Sequence, residues 1–389
     1  MTEINKDSLH WSQYDFTKIP FDDLVSVGQR TLLYRDLFSI SWLLGRFCNY
    51  KCSYCWPYAR SDKKDHRPTA LCLATIDEIK RQARDNGFNS FHFSLSGGEP
   101  TFHPGYLDIL NHLAQDVPNT NFTSIHMTTN MARKMDWHKN YCDIAAQFQR
   151  ASITASYHSE FADKDEFVEK LLLCMEHDVQ VTINMVLVPE WFDRDWQNAL
   201  YFHEKGINVT LKPQSDSSAS RVVDGYTPEQ LAIMRNGMPQ RDYTKAIQEQ
   251  RGVKVVRPAN KGGSLWKADM ANGDDKSVPA MMQVEFQDSE GKRWYMDQAE
   301  RFNAFGFNKF KGWDCSSGFR GIVIREPDGS IKRSYSCSDE PLGYVESGFK
   351  LFDSPKPCIS ESCVSSADSK IPKRKPNSGI PLYPNDNTI

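Results

Sequence analysis

Between Phe38 and Lys212 the chain alternates short apolar, β-branched runs with segments of helical spacing. Strands are predicted to start near Phe38, Phe91, Thr123, Ala151, Val179 and Ile207. The last five starts lie 32, 28, 28 and 28 residues apart, the length of one strand-plus-helix unit. Such regularity predicts a parallel sheet joined by right-handed crossovers. Six units fall short of the eight that close a barrel, so the expected fold is α/β, a partial (βα)6 TIM-like barrel. The first interval is 53 residues, and its surplus must lie in the loop after the first strand. Helix signals agree with this spacing. Thr75-Ile-Asp-Glu78 reads as a capping box, with Asn86-Gly87 as the stop. Lys164 to His177 carries Phe167, Leu171 and Cys174 on one helical face, and Thr227-Pro-Glu-Gln230 reads as a second capping box.

Beyond the barrel the pattern weakens. Ser215 to Ser220 reads as a loop, and Asn260 to Ser277 is rich in Gly, Asp and Lys and expected to be exposed. Met281 to Phe310 holds many aromatic residues without a clean period. Gly321 to Arg325 and Ile331 to Ser336 flank Glu326-Pro-Asp-Gly329, a hairpin signal. The expected organisation is an N-terminal extension (1–35), the partial barrel (36–215) and a bridging, pocket-shaping region (216–310). A small hairpin-containing C-terminal domain (311–366) and a mobile, proline-bearing tail (367–389) follow.

Composition narrows the function classes. The chain has 389 residues, 39% of them apolar and 12% aromatic, enough for a packed core. A net charge of −3 supplies no basic field for nucleic acid. Runs such as Val186 to Pro189 and Leu171 to Cys174 are far shorter than the ~20 residues that span a bilayer. Met1 to Lys6 is polar and lacks the apolar core of a signal peptide, so a cytoplasmic location is expected. Ten cysteines in a reducing compartment point to metal binding, catalysis or burial rather than disulfides.

Cysteine spacing divides these possibilities. Cys48-Asn-Tyr-Lys-Cys52-Ser-Tyr-Cys55 falls in the long loop after the first strand. Three thiolates so close together can hold three corners of a cubane cluster, leaving one iron open to an external ligand. A zinc site would want a fourth ligand, for which His66 is a distant candidate.

This C-x3-C-x2-C pattern, with Tyr54 before the third cysteine, resembles the signature of the radical S-adenosylmethionine superfamily. Ser96-Gly-Gly-Glu-Pro100, ending the second predicted strand, looks like that family's GGEP motif, which receives the methionine amino group. Glycines allow close backbone approach, and Glu99 offers a carboxylate to an ammonium. The resemblance covers roughly residues 36 to 215 and implies further ligand-binding positions: Asn130 near the methionine end, Ser156 near ribose and Asn184 near adenine. The cofactor-binding set it implies is Tyr54, Gly97, Gly98, Glu99, Pro100, Asn130, Ser156 and Asn184. The family's glycine-rich pattern near Asn184 is missing here.

Cys315, Cys337, Cys358 and Cys363 form a second set around the predicted hairpin. The segment looks like the Twitch region, the shortened relative of SPASM, which implies an auxiliary [4Fe–4S] cluster. Its last two cysteines are farther apart than is common there, and zinc on the same thiolates stays open. Cys72, Cys142 and Cys174 read as buried structural thiols.

The resemblance implies reductive cleavage of S-adenosylmethionine to a 5′-deoxyadenosyl radical, with the electron supplied by flavodoxin or ferredoxin. Hydrogen abstraction from a small metabolite or peptide would follow, with net oxidation or cross-linking aided by the auxiliary cluster. Candidate catalytic groups at the barrel mouth are His158, Glu160, Lys212 and Arg221. Redox-neutral rearrangement, epimerisation or group transfer is the alternative outcome. A non-catalytic zinc or iron–sulfur protein is the alternative class.

Overall fold

The computed structural model describes residues 21–29, 36–56, 58–217, 221–239, 241, 243–254, 284–296, 308–363, 365, 368 and 371–382. The Asn260 to Ser277 loop and part of the aromatic stretch from Met281 to Phe310 (281–283 and 297–307) lie outside these residues.

After β1 (Leu24–Gln29) the chain lays down β2 (Leu37–Leu43), β3 (Ser90–Ser96), β4 (Phe122–Thr129), β5 (Arg150–Tyr157), β6 (Gln180–Leu187) and β7 (Asn208–Pro213). Strands β2 to β7 are adjacent in sequence order and all parallel, as the repeat predicts. Each begins within one residue of its predicted start. Helices α1 (Thr69–Asp85), α2 (Tyr106–Gln115), α3 (Met135–Ala145), α4 (Lys164–Glu176) and α5 (Phe192–Glu204) make the crossovers, and α6 (Pro228–Asn236) and α7 (Tyr243–Arg251) follow. Phe38, Ile40, Trp42, Phe91, Phe93 and Leu95 alternate along β2 and β3 and share one core with Ile76, Ile79 and Ala83 of α1. Fully burying an aliphatic or aromatic side chain of this size contributes about 1.5–3 kcal/mol.

Two helix signals fare differently. Thr227 caps α6 with both hydrogen bonds of the capping box in place. Thr75 does not start α1, which begins six residues earlier after Pro68; its hydroxyl instead donates to the Leu71 carbonyl at 2.8 Å inside the helix. The stop at Asn86-Gly87 is where the sequence puts it.

The C-terminal segment is distributed otherwise than its cysteines suggest. Strands β8 (Val284–Asp288), β9 (Arg293–Met296) and β10 (Asp314–Cys315) precede the hairpin, whose arms are β11 (Gly321–Ile324) and β12 (Ser330–Lys332). That hairpin extends the barrel sheet: β11 lies parallel beside β2, pairing Gly321 with Ser39 through Ile324 with Trp42. The all-apolar Gly-Ile-Val-Ile run is buried along its length, as suits an interior parallel strand, and it covers the β2 edge that an unclosed barrel leaves open. With β13 (Gly343–Tyr344) and β14 (Gly348–Phe349) the sheet reaches ten strands. A second sheet has the order β15-β10-β16-β1-β8-β9, where β15 is Lys356–Pro357 and β16 is Lys373–Arg374. The expected N-terminal extension and mobile tail thus each give a strand to this sheet. Among the described residues no helix is long and apolar enough to cross a membrane.

Candidate functional site

The loop bearing Cys48, Cys52 and Cys55 leaves the C-terminal end of β2, where ligands of parallel α/β folds gather. It is tied to four other strand ends. The Glu99 amide donates to the Phe47 carbonyl at 2.7 Å, and the Gly98 amide to the Gly45 carbonyl at 2.9 Å. Asn130, just past β4, donates to Asn49 Oδ1 at 2.9 Å and lies 3.9 Å from Cys48 Sγ. Glu160, past β5, accepts from the Ser53 amide at 3.0 Å and its hydroxyl at 3.1 Å. Trp56 donates to the Ser215 hydroxyl, beyond β7, at 3.1 Å.

Gly97 and Gly98 owe their identity to this docking. A Cβ on Gly97 would meet the Gly45 carbonyl oxygen at 2.3 Å, and one on Gly98 the Arg46 oxygen at 2.3 Å. Gly97 also holds φ at +142°. The close approach visible here is of the cysteine loop's own backbone.

Beside His158 the Tyr54 hydroxyl meets Nδ1 at 2.7 Å, with the two rings stacked at 5.8 Å. Burial lowers the His158 pKa to about 4 and pushes Tyr54 well up, so both are neutral near pH 7. His158 and Glu160 therefore brace the cysteine loop.

Glu99 is 1% exposed. Its carboxylate accepts from Thr101 N and Oγ1 (3.2 and 2.6 Å), Thr129 Oγ1 (2.7 Å) and Asn130 N (2.6 Å). Burial nevertheless raises its pKa against the pull of those donors. Burial likewise pushes the Cys48 thiol up to about 11 and Cys52 to about 12, with Glu99 and Glu160 respectively adding to it, and Cys55 also upward. A buried carboxylate beside desolvated thiols is a place for positive charge: iron on the sulfurs, an ammonium against Glu99. The donor set therefore fits both groups. Among the described residues no three His, Cys, Asp or Glu side chains are grouped to hold a single metal ion. A cubane sets each thiolate on a different iron.

The sheet's inner face is polar, a feature not anticipated from the sequence although the alternation was visible there. Ser41, Ser94, His126, Ser152 and Gln180 form one cross-strand row, and Ser156, Asn184 and Thr210 another nearer the cysteine loop. His126 reaches Ser152 at 2.8 Å and His92 reaches Ser124 at 2.7 Å. Ordinary barrels fill this layer with bulky aliphatic residues. Ser156, Asn184 and Lys212 stand half-buried on this face, Lys212 paired in register with Val186. The structure does not bring Arg221 to them. Its side chain is 81% exposed and pairs with Asp216 at 3.3 Å.

The second cysteine set is buried throughout. Cys315, Cys358 and Cys363 share a core with Phe310 and Trp313. The Cys358 amide donates to the Trp313 carbonyl at 2.8 Å and the Cys363 amide to the Asn308 carbonyl at 2.8 Å. Cys363 holds the Cys358 thiol low by hydrogen bonding and is itself pushed up. Burial pushes the Cys337 thiol up, and the charge on Cys315 adds to that push. Its position is set by Tyr335, whose hydroxyl meets Ser41 of β2 at 2.6 Å, and by Asp368, which accepts from the amides of Tyr335 (3.2 Å) and Ser336 (2.7 Å). Neither anchor carries a sequence signal. Cys142 and Cys174 meet at 3.8 Å in the helix-packed core, and Cys72 lies 3.9 Å from His103 Nε2.

Six consecutive βα units with a three-cysteine loop across their C-terminal ends define a parallel α/β partial barrel built around a thiol site. Residues 42–202 match the model of the Radical SAM superfamily. Among solved structures the chain is similar to native anSMEcpe with bound AdoMet, at 16% identity and a TM-score of 0.46 over 80% of this chain and 79% of that one. It is also similar to TYW1 with a lysine-pyruvate adduct bound, at 13% identity and a TM-score of 0.31 over 58% of this chain and 77% of that one. No curated protein matches the sequence.

Proposed function

We propose that this chain cleaves S-adenosylmethionine reductively at Cys48, Cys52 and Cys55 and oxidises or cross-links a small metabolite or peptide with help from a second cluster on Cys315, Cys337, Cys358 and Cys363. The observation that carries the reading is the buried Glu99 carboxylate, without a cationic partner among the described residues, beside three desolvated thiols. When bound, the iron–sulfur cluster supplies one electron to the sulfonium of S-adenosylmethionine, which yields methionine and a 5′-deoxyadenosyl radical. The chain's own residues do the rest. Glu99 holds the methionine ammonium, and Asn130 fixes Cys48 and the loop against the β4 end. Tyr54, His158 and Glu160 keep the loop seated over the sheet. Ser156 and Asn184, register neighbours on the inner face, take the ribose hydroxyls and the adenine amino group. Lys212 supplies a cation at the β7 end for an anionic group of the substrate. A flavodoxin or ferredoxin is the electron donor.

Anaerobic reconstitution followed by metal analysis tests the two-cluster reading. About eight irons per chain are expected, four for each set. Zinc on either set, or about four irons in total, would overturn it.

A further inference from the structure

Lys373 is 1% exposed and Arg333 4% exposed. Lys373 donates to the backbone carbonyls of Asp368 and Ile371 at 2.6 and 2.7 Å, and its ammonium lies 5.1 Å from the Phe310 ring centroid. Among the described residues no carboxylate pairs with it. The two carbonyls take up two of its three N–H donors but carry no net charge, and a buried charge with no anion in ion-pair contact costs several kcal/mol. Its location is informative. In the β10–β16 pair Lys373 stands directly opposite Cys315, so both side chains share one face. The ring beneath its ammonium, Phe310, packs in the same core as Cys315, Cys358 and Cys363. Arg333 approaches from the other side. It donates to the carbonyls of Lys356 and Pro357, immediately before Cys358, at 3.2 and 3.3 Å, and to Ser317 Oγ, two residues after Cys315, at 3.3 Å. Among the described residues its carboxylate partner is Asp339 at 3.0 Å, which offsets part of its charge.

We propose that Lys373 and Arg333 are the counter-cations of an anionic metal–thiolate centre on Cys315, Cys337, Cys358 and Cys363. This rests on the two-cluster reading above. Four thiolates outweigh the positive core of an oxidised cubane and leave a dianion, which two buried cations offset. The pair also favours the reduced centre, whose negative charge is greater. Both are positioning residues, acting through the thiolates rather than on substrate.

The test uses the full chain, reconstituted with iron and sulfide, as wild type, Lys373→Met, Lys373→Arg and Arg333→Met. Chelator challenge is expected to strip the second centre of Lys373→Met and Arg333→Met roughly 10-fold faster than wild type. Its reduction potential, read by redox titration with electron paramagnetic resonance, shifts to more negative values in both. Lys373→Arg stays close to wild type. Lys373→Met lowers the melting temperature of the metal-loaded chain by more than that of the metal-free chain, because only the loaded chain loses a counter-cation as well as the two hydrogen bonds; a merely structural lysine would lower both equally. Equal chelator loss and equal potentials in wild type and both Met variants would overturn the assignment alone. A wild-type chain that takes up only about four irons would overturn the two-cluster reading and this assignment with it.

Discussion

The two cysteine sets sit in opposite electrostatic surroundings. Around Cys48, Cys52 and Cys55 the charges that bear on the thiols are the carboxylates of Glu99 and Glu160, with Arg60 the cation and Asp62 bound to it at 2.8 Å. Around Cys315, Cys337, Cys358 and Cys363 they are the cations Arg333 and Lys373, with Asp339 the carboxylate that pairs with Arg333 and bears on Cys337. Exposure differs in the same sense. Cys48 and Cys55 are partly accessible, whereas all four C-terminal cysteines are buried. A site with three thiols and an adjacent buried anion has room and charge for a cationic ligand. A closed set of four thiols between two cations suits a centre that carries charge and binds nothing further.

Removing one cysteine from each set should break this contrast cleanly. In Cys48→Ala, cleavage of S-adenosylmethionine falls to background while about four irons remain, counted by metal analysis. Cys315→Ala is the converse: about four irons are lost, and dithionite-driven 5′-deoxyadenosine formation persists. Loss of cleavage in Cys315→Ala would merge the two sites into one.

Glu99→Gln sharpens the anionic side. S-adenosylmethionine binding, measured by calorimetry on the reconstituted protein, weakens about 10- to 100-fold with loss of a charged hydrogen-bond acceptor. Stability moves the other way. Burial raises the Glu99 pKa in the folded chain, so its contribution is present at pH below the ordinary carboxylate range and is lost as pH rises through the folded pKa. Thermal melts of the ligand-free protein should therefore decline with rising pH in wild type and flatten in Glu99→Gln.

Much of the barrel was legible in the chain because its contacts recur at a fixed sequence interval. The loop carrying Cys48, Cys52 and Cys55 and the Gly97 to Pro100 turn fall in successive units, and the structure links them by two backbone hydrogen bonds. Helix starts were less secure: Thr75 matches a capping pattern, yet Pro68 already turns the chain into α1. The second sheet left almost no local trace. β10, β15 and β16 are two residues each, too short for an alternation to register, and β16 joins them to β1 from the far end of the chain. The hairpin was visible, but its docking beside β2 was not, since no repeat joins residues 39 and 321. Buried cations are hidden for a related reason. Lys373 lies in Ile371-Pro-Lys-Arg-Lys375, which reads as a solvated basic run until the β10 pairing brings Lys373 against Cys315.

A smaller effect distinguishes the sets by proton release. With thiols raised to about 11 and 12 at Cys48 and Cys52, metal must displace protons to bind. In Cys315→Ala, which isolates the N-terminal set, apparent iron affinity should rise about tenfold or more for each pH unit between neutrality and mild alkali. The metal-free fold runs oppositely: raised thiol pKa values contribute stability that is present below the ordinary thiol range and lost as pH rises through 11 to 12.

The central claim is that Cys48, Cys52, Cys55 and Glu99 together make a site for reductive cleavage of S-adenosylmethionine. Its most direct test is the yield of 5′-deoxyadenosine from anaerobically reconstituted wild-type protein given S-adenosylmethionine, with and without dithionite. Dithionite-dependent 5′-deoxyadenosine, formed with an equal amount of methionine and abolished in Cys48→Ala, is the predicted result. Wild-type protein that carries its full iron yet releases no 5′-deoxyadenosine would contradict the account.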